Sequence, residues 1–211
     1  MIVVVGGIKG GSGKTTVATN LTFLRSQKKK KVILIDADDQ RSASDWVEHR
    51  ESQGIKTPWT TVQLTGPSLR NQVIKLKESY DEIIIDTGGR DTSSQRSALL
   101  IADVFLTPFQ PRSLDVWTAG KLSHMIEEVL TLNPTLKTIA FINRADPSGS
   151  DNLGAIEIIK EFKNFSCLPF TIGQRKAFSN ASAEGLSIIE MKKKDEKAIQ
   201  ELQTLAKETF I

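Results

Sequence analysis

Seven short apolar runs recur along the chain, separated by segments that carry apolar residues at helical spacing. Few polar residues interrupt these runs, as expected for strands that helices cover on both faces. The alternation of such strands with helical segments predicts an α/β fold with a doubly wound, mostly parallel sheet and helices on both faces. The predicted strands are Ile2–Val5, Val32–Ile35, Thr61–Leu64, Ile83–Ile85, Val104–Leu106, Thr138–Ile142 and Phe165–Phe170.

Two of the helical segments have a clear apolar side. The first carries Val17, Leu21 and Leu24 and ends in a run of four lysines, and the last extends from Lys193 to Phe210. The lysine run is expected at a helix end, where cations oppose the negative end of the dipole. No repeat, low-complexity linker or composition shift divides the chain, so a single domain over residues 1–211 is predicted.

Composition narrows the class of protein. The 211 residues are 39% hydrophobic, and no apolar run approaches the 18 residues of a membrane span. The first predicted strand begins almost at once, without a basic leader and cleavage site, so a cytoplasmic protein is expected. The single cysteine, Cys167, excludes an internal disulfide. A net charge of +3 permits a polyanionic partner without demanding one.

A glycine-rich segment follows the first predicted strand and precedes a helical pattern. Its glycines let backbone N–H groups converge on a phosphate, and the following helix adds the positive end of its dipole. A lysine then neutralises phosphate oxygens, and a threonine hydroxyl binds Mg²⁺. The segment predicts a nucleoside triphosphate site, and the alternative is a turn with a solvated lysine. The predicted binding residues are Gly10, Gly11, Ser12, Gly13, Lys14, Thr15 and Thr16, with Lys14 also catalytic and Thr15 a metal ligand.

A second lysine, Lys9, precedes the glycines. The spelling Lys-Gly-Gly-Ser-Gly-Lys-Thr-Thr resembles the deviant Walker A motif of the ParA/MinD ATPases. In that family the first lysine reaches the phosphates of the partner subunit, so the resemblance implies a homodimer formed around ATP, with Lys9 as a catalytic and nucleotide-binding residue. The alternative is a surface lysine beside the loop.

Carboxylates follow the second predicted strand, at the edge where open α/β sheets bind ligands. Asp36 is expected to hydrogen-bond a Mg²⁺-bound water or Thr15, and Asp38 is the candidate for orienting or deprotonating the attacking water. The alternative for Asp36 is a cap on the next helix. The segment from Ile35 to Trp46 resembles the D-x-D-P-Q-G-S-A-x-D-W segment of small plasmid-partition ATPases, with Asp39 in place of proline and Arg41 in place of glycine.

The run Glu82-Ile-Ile-Ile-Asp86 has the Walker B pattern, which predicts Asp86 in the magnesium shell. The glycine in Asp86-x-x-Gly89 matches the switch loops of nucleotide hydrolases, where a glycine N–H bonds the γ-phosphate. Gly89 is therefore a predicted nucleotide sensor. A plain tight turn is the alternative.

Two later segments are assigned to the base of the nucleotide. Asn143 and Arg144 end a predicted strand, and an amide there can act as donor and acceptor for the adenine edge, as in the resembling family. Pro169 and Phe170 supply an apolar wall for the base, although Phe170 fits the core equally well. The preference for adenine rests on the resemblance. The stretch from Pro108 to Asp115 also resembles the family, with Ser113 as a helix cap.

A basic set late in the chain comprises Arg175, Lys176, Lys192, Lys193 and Lys194. Relatives bind DNA without sequence preference in this region, so these residues are candidate DNA contacts. For Lys192–Lys194 a solvated helix start is the alternative.

The resemblance covers nearly the whole chain, and the motif order is that of short ParA proteins. It implies a nucleoid-associated partition ATPase that uses ATP and Mg²⁺, binds DNA as a dimer and releases it when a centromere-binding, ParB-like partner stimulates slow hydrolysis. The implied cargo is a plasmid or a chromosome, and a protein cluster stays open as the alternative cargo. The alternatives are a MinD-like positioning ATPase on a membrane and a metabolic ATP-dependent enzyme of the same fold.

Overall fold

The computed structural model describes the backbone of residues 1–111, 113–147 and 150–210, and the side chains of these residues except 113–117 and 150. Within them the chain forms seven strands and eight helices. The strands are β1 (Ile2–Val5), β2 (Val32–Asp36), β3 (Thr60–Gln63), β4 (Glu82–Asp86), β5 (Val104–Phe109), β6 (Lys137–Ala145) and β7 (Ser166–Gly173). The helices are α1 (Lys14–Ser26), α2 (Ser42–Ser52), α3 (Leu69–Leu76), α4 (Ser93–Leu99), α5 (Ser113–Leu132), α6 (Ser150–Lys160), α7 (Lys176–Ala183) and α8 (Glu196–Thr209).

The strands form one sheet in the order β3-β2-β4-β1-β5-β6-β7. Every pairing between neighbouring strands is parallel. From β1 the chain passes to β2 and then to β3 at one edge of the sheet, and it returns to β4 beside β1. Strands β5, β6 and β7 then follow in order on the other side of β1. This reversal creates a crevice at the carboxyl end of β1, the place where open α/β sheets bind ligands. The predicted doubly wound fold is confirmed.

Both faces of the sheet are buried. In β1, Ile2 and Val4 pack on one face with α3, α4, α5 and α6, and Val3 and Val5 pack on the other with α1, α2 and α8. Successive side chains of a strand point to opposite faces, so a strand covered on both sides needs apolar residues throughout. This burial is the physical reason for the uninterrupted apolar runs in the sequence.

Strands β6 and β7 extend beyond their predicted ends and pair irregularly. Ala140 is opposite Cys167 and Ile142 is opposite Thr171, so two residues of β6 face four of β7. Pro169 lies in this bulge and is exposed. Proline is tolerated there because β7 is an edge strand, where a missing N–H breaks no ladder on the open side.

The last helix, α8, matches the predicted amphipathic segment. It begins after Asp195, whose side chain accepts a hydrogen bond from the backbone N–H of Ala198 at 3.1 Å. Its apolar side, including Leu202 and Leu205, is buried against the core that also contains α1. Across the part of the chain that the structure describes, no helix has the length and apolar character needed to cross a membrane.

A buried arginine on α2, Arg50, binds the segment of residues 185–190, which precedes Lys192–Lys194. The Arg50 guanidinium is 2% exposed and makes two hydrogen bonds, of 2.6 and 2.7 Å, to the carboxylate of Glu190. It also donates to the carbonyl oxygen of Gly185 at 3.0 Å and lies near the rings of three aromatic residues, Phe23, Trp46 and Trp59. From α1, Asn20 accepts hydrogen bonds from Ser187 and Ile188. Helices α1 and α2 therefore hold the 185–190 segment.

We expect Glu190→Ala to lower the free energy of unfolding by about 3 kcal/mol, because it leaves a buried guanidinium without its counter-charge. Urea unfolding measures the change. The matched control is Glu48→Ala, which breaks the exposed pair between Arg41 and Glu48 and is expected to cost less than about 1 kcal/mol. Equal losses in the two variants would contradict a structural role for the buried pair.

Candidate nucleotide-binding site

The glycine-rich loop lies in the crevice at the carboxyl end of β1, and α1 begins at Lys14. Gly11 and Gly13 have φ values of 81° and 88°, in the left-handed region that favours glycine. A backbone that alternates in this way arranges consecutive N–H groups into a concave surface that binds anions. The unsatisfied N–H groups at the start of α1 add to this surface. The loop thus has the geometry of a phosphate cradle.

Lys14 is folded back over this cradle. Its side chain is 6% exposed, and its Nζ donates a hydrogen bond to the carbonyl oxygen of Lys9 at 2.8 Å. Lys9 itself is half-buried. Both predicted lysines are therefore at the loop, with the ammonium group of one on the backbone of the other.

Two side-chain amides hold the loop from the β5 and β6 side. Asn143 Nδ2 donates to the carbonyl oxygen of Ser12 at 2.6 Å, and Gln110 Nε2 donates to that of Gly11 at 2.7 Å. A Cβ atom on Gly13 would lie 2.4 Å from Asn143 Nδ2, so a larger residue does not fit there. The sequence pointed to Asn143 as a base contact and assigned no role to Gln110. Its position directly after β5, beside the crevice, was the available signal.

Asp36 is buried, and each of its carboxylate oxygens accepts a backbone hydrogen bond. Oδ1 accepts from the N–H of Asp38 at 3.1 Å, and Oδ2 accepts from the N–H of Ser44 in the first turn of α2 at 2.7 Å. The structure thus gives Asp36 the capping role that the sequence left open as the alternative. Asp38, half-buried, accepts from the N–H of Gln40 at 3.1 Å and faces the loop after β4.

Arg41, which replaces the glycine of the resembling segments, adopts the conformation that glycine tolerates best. Its φ is 56°, and its guanidinium pairs with Glu48 at 2.8 Å. The substitution therefore keeps the turn before α2 at some conformational cost. Asp39, in place of the proline, is exposed.

Asp86 ends β4, beside Val5 of β1 and Asp36 of β2 in the sheet register. Its side chain is 1% exposed, and among the described residues neither carboxylate oxygen has a hydrogen-bond partner of good geometry. Burial raises its pKa from 3.8 to about 7. The nearby Thr15 hydroxyl and Lys14 lower that pKa, while the charges of Asp36 and Asp38 raise it. A buried carboxylate in this state stabilises an incoming cation or holds a proton.

The loop after β4 packs directly on the cradle. A Cβ on Gly89 would lie 2.6 Å from the backbone nitrogen of Gly10, and one on Gly88 would lie 2.9 Å from the Asp38 carboxylate. Gln95 on α4 reinforces this contact, since its Oε1 accepts hydrogen bonds from the N–H of Gly7 at 3.0 Å and from the Thr87 hydroxyl at 2.9 Å. Sequence reasoning missed Gln95, which looks like an ordinary helix residue.

Two cavities meet at the loop. The smaller, of about 280 Å³, is lined by the loop and the start of α1 together with Asp38 and Gly89. The larger, of about 710 Å³, lies between α1, the ends of β6 and β7, and α7. Gly13, Thr16 and Arg144 line both, and Arg144 has a φ of 56°. The pair of cavities has the arrangement that a phosphate chain and an attached base require.

Two predicted base contacts lie elsewhere. Pro169 and Phe170 do not line either cavity, because they precede the carboxyl end of β7 and sit in its bulge. Pro169 is exposed, and Phe170 packs against the core beside α1 and α8, which was the alternative for that residue. The wall of the larger cavity comes instead from Ile172, Gly173 and Gln174.

The late basic residues separate into two groups. Arg175 lines the larger cavity and is bound to Glu201 on α8 at 2.8 Å, a contact that raises its pKa. Its guanidinium is therefore committed to a carboxylate of the same chain and is not a free polyanion contact. Lys176 and the Lys192–Lys194 run are exposed, and the Lys194 ammonium donates to the carbonyl oxygen of Ile189.

The predicted cap Ser113 is the first residue of α5. Its side chain and that of Asp115 lie outside the described residues, as does Arg112.

Comparison with known proteins agrees with this geometry. A family model described as the CobQ/CobB/MinD/ParA nucleotide binding domain matches residues 3–188. The maintenance of carboxysome distribution protein A of Halothiobacillus neapolitanus is 27% identical over 209 residues, covering 98% of this chain and 94% of that protein. The chromosome-partitioning ATPase Soj of Thermus thermophilus is 26% identical over 162 residues, covering 64% and 65%.

Solved structures show the same fold. An ATP complex of McdA from Cyanothece has a TM-score of 0.78 at 19% identity and covers 99% of this chain and 95% of that chain. A plasmid partition protein of Borrelia burgdorferi B31 bound to AMPPNP has a TM-score of 0.77 at 23% identity, covering 98% and 96%. The phosphate cradle and the flanking carboxylates agree with the matched family model. The chain therefore belongs to the CobQ/CobB/MinD/ParA nucleotide-binding domain family.

Proposed function

We propose that this protein is a ParA-type ATPase whose ATP-bound dimer binds DNA without sequence preference and segregates a plasmid or chromosome. The observation that carries the proposal is the phosphate cradle with two lysines, Lys9 and Lys14, on one loop. One lysine is enough to bind a nucleotide within the subunit. The second is the feature expected of an ATPase that completes its site across a dimer.

Within the subunit, the triphosphate lies along the smaller cavity. The N–H groups of residues 10–16 bind the phosphate oxygens, and the Lys14 ammonium exchanges the Lys9 carbonyl oxygen for them. The base enters the larger cavity between α1 and the end of β7. Arg144 lines both compartments and is placed to contact the junction between them.

The site suits Mg²⁺. Asp86 is a buried carboxylate with no good hydrogen-bond partner among the described residues, and the Thr15 hydroxyl is next to it. The described part of the chain contains no cluster of three His, Cys, Asp or Glu residues able to hold a metal. The Thr15 hydroxyl and the Asp86 carboxylate fit Mg²⁺, which uses one or two protein groups together with phosphates and waters. Thr15 and Asp86 would hold the ion, which neutralises charge on the β- and γ-phosphates, and Asp36 would support them.

Hydrolysis requires a positioned water and a sensor of the γ-phosphate. Asp38 lines the smaller cavity, and this supports its assignment as the group that orients or deprotonates that water. Gly89 lies against the backbone of Gly10, and this contact supports its assignment as the sensor of the γ-phosphate. Loss of the phosphate would release this loop and, with it, the dimer.

Lys9 is assigned to the partner's nucleotide. Its backbone carbonyl accepts the hydrogen bond from Lys14, so Lys9 lies at the phosphate cradle itself, and its position before the glycines supports this assignment. A cation supplied in this way stabilises charge on a transferring phosphoryl group, as an arginine finger does. Dimerisation would also join the exposed lysines of two chains, Lys176 and Lys192–Lys194, into one basic surface for DNA on the nucleoid. A ParB-like partner would then stimulate slow hydrolysis.

A second candidate is the positioning of a protein assembly as cargo by the same ATP cycle. The relative from Halothiobacillus neapolitanus, named for carboxysome distribution, matches almost the full length of this chain and favours that cargo. A MinD-like membrane function has less support, because the apolar side of α8 is buried in the core instead of facing a lipid surface. Among the described residues, the contacts at the site do not favour a metabolic ATP-dependent enzyme.

We expect duplex DNA of arbitrary sequence to bind the protein with ATP and not with ADP or without nucleotide. The protein mass should double with ATP, and the affinity should fall with salt with a log–log slope of about −0.9 per phosphate neutralised. Fluorescence anisotropy and light scattering measure the two effects. Nucleotide binding and dimerisation without DNA affinity would instead support the protein-cargo or membrane candidates.

We expect Lys9→Ala to retain ATP binding within about threefold and to lose the ATP-dependent dimer, since in the proposed dimer its ammonium stabilises the partner's phosphates. Lys28→Ala, which removes an exposed lysine at the opposite end of α1, is the matched control and should still dimerise. Calorimetry measures binding and light scattering measures mass. A Lys9→Ala protein that dimerises as well as the control would contradict the assignment.

The raised pKa of Asp86 predicts a pH dependence of stability in the protein free of nucleotide and Mg²⁺. Because the folded-state pKa, about 7, exceeds the ordinary value of 3.8, protonated Asp86 stabilises the fold below about pH 4, and this contribution is lost as the pH rises through 7. Asp86→Asn should therefore gain stability relative to wild type by up to about 1.4 kcal/mol per pH unit across that window. Urea unfolding at several pH values, with exposed Asp45→Asn as control, tests this. Parallel pH profiles for wild type and Asp86→Asn would contradict it.

A further inference from the structure

We infer that the side-chain amides of Gln110 and Asn143 position the phosphate cradle, so that both residues set the affinity for the phosphate chain itself. The inference rests on the proposed ATP function. It also revises the interpretation of Asn143, which the sequence assigned to the base.

The argument begins with the two carbonyl groups that these amides hold. Gln110 donates to the carbonyl oxygen of Gly11, and Asn143 donates to that of Ser12, the next residue. In a trans peptide the C=O of one residue and the N–H of the following residue point in opposite directions within one rigid plane. Holding the Gly11 carbonyl outward therefore directs the N–H of Ser12 inward, and holding the Ser12 carbonyl directs the N–H of Gly13 inward.

These two N–H groups belong to the apex of the cradle. Gly11 and Gly13 on either side have positive φ values, which glycine adopts at little cost but which do not by themselves select one orientation of the intervening peptides. A glycine-rich loop pays a larger entropy cost on ordering than other sequences do. Two external hydrogen bonds order the loop before the ligand arrives, and such preorganisation increases affinity.

The supports are themselves rigid. Gln110 follows β5 and Asn143 lies within β6, and these neighbouring strands pair along six residues of the sheet. Asn143 is buried, and it approaches so closely that Gly13 has no room for a Cβ atom. At the base of the loop, Gln95 accepts the N–H of Gly7. The loop is thus held at its base by one amide and at its apex by two.

If Asn143 orients the loop, removing its amide has an effect on binding that the loss of a base contact would not have. If its amide only contacted the base, a ligand without a base would bind equally well to a protein lacking it. If its amide orients the Ser12–Gly13 peptide, a ligand made only of phosphates must also bind less well. The two roles are therefore separable with inorganic tripolyphosphate.

The experiment compares Gln110→Met and Asn143→Ala with wild type by calorimetry, using ATP, GTP and inorganic tripolyphosphate, each with Mg²⁺. We expect each variant to bind tripolyphosphate and ATP more weakly by the same factor, about three- to tenfold for one lost hydrogen bond. The ratio of ATP to GTP affinity should stay unchanged.

The matched control is Asn164→Ala. Asn164 also donates its side-chain amide to a backbone carbonyl, that of Ser123 at 2.8 Å, but it lies on the α6–β7 connection, outside the nucleotide cavities. It should bind all three ligands like wild type. Urea unfolding of the three variants verifies that any loss of binding exceeds what a change in stability explains.

Three results would overturn the inference. They are unchanged tripolyphosphate binding in Asn143→Ala, a changed ratio of ATP to GTP affinity, or losses no larger than those of Asn164→Ala. If the wild-type protein binds no nucleotide, the proposed function fails, and the inference is then judged on the free protein. In that case the amide NMR signals of Ser12 and Gly13 should shift in Gln110→Met and Asn143→Ala and not in Asn164→Ala, and unshifted signals would overturn the inference.

Discussion

The phosphate loop at the carboxyl end of β1 depends on one constraint, which is that the sheet beneath it is parallel and buried on both faces. Parallel strands bring all their carboxyl ends to one edge, so the loops that leave β1, β2, β4, β5 and β6 meet there. The carboxylates Asp36, Asp38 and Asp86 lie at or just after the carboxyl ends of β2 and β4, and the amides Gln110 and Asn143 lie at the carboxyl ends of β5 and β6. These carboxylates and amides come from segments far apart in sequence, and the strand order places them together around the phosphate loop.

The three carboxylates at this edge of the sheet differ in their burial and in their hydrogen bonds. Each carboxylate oxygen of Asp36 accepts a hydrogen bond from a backbone N–H group, so Asp36 stabilises the connection from β2 to α2. Asp86 is also buried, but neither of its oxygens has a hydrogen-bond partner of good geometry in the described part of the chain, and burial raises its pKa. A carboxylate in that state has most to gain from a cation. Asp38 is half-buried and lines the smaller cavity.

Polar side chains also connect the cradle to the loop after β4. Gln95 bonds both Gly7 in the first loop and Thr87 in the loop after β4, while Gly89 lies against the backbone of Gly10. Beyond this contact, Arg96 on α4 pairs with Asp91 in the same loop and with Glu128 on α5. These contacts form a continuous path from the phosphate loop through the loop after β4 to α4 and α5. A displacement of the loop after β4 would therefore be transmitted to both helices.

The sequence by itself determined the fold class, all seven strands and the position of the phosphate loop, because burial on two faces leaves a local record of apolar runs and a cradle needs glycines at adjacent positions. It also located the three carboxylates, each of which follows an apolar run. Only the tertiary structure decided that Asp36 caps α2, that Pro169 and Phe170 lie in a bulge away from the cavity, and that Gln95, Gln110 and Asn143 hold the loop. These depend on strand register and on contacts between residues up to 131 positions apart, and a contact of that kind leaves no periodic or local pattern in the chain.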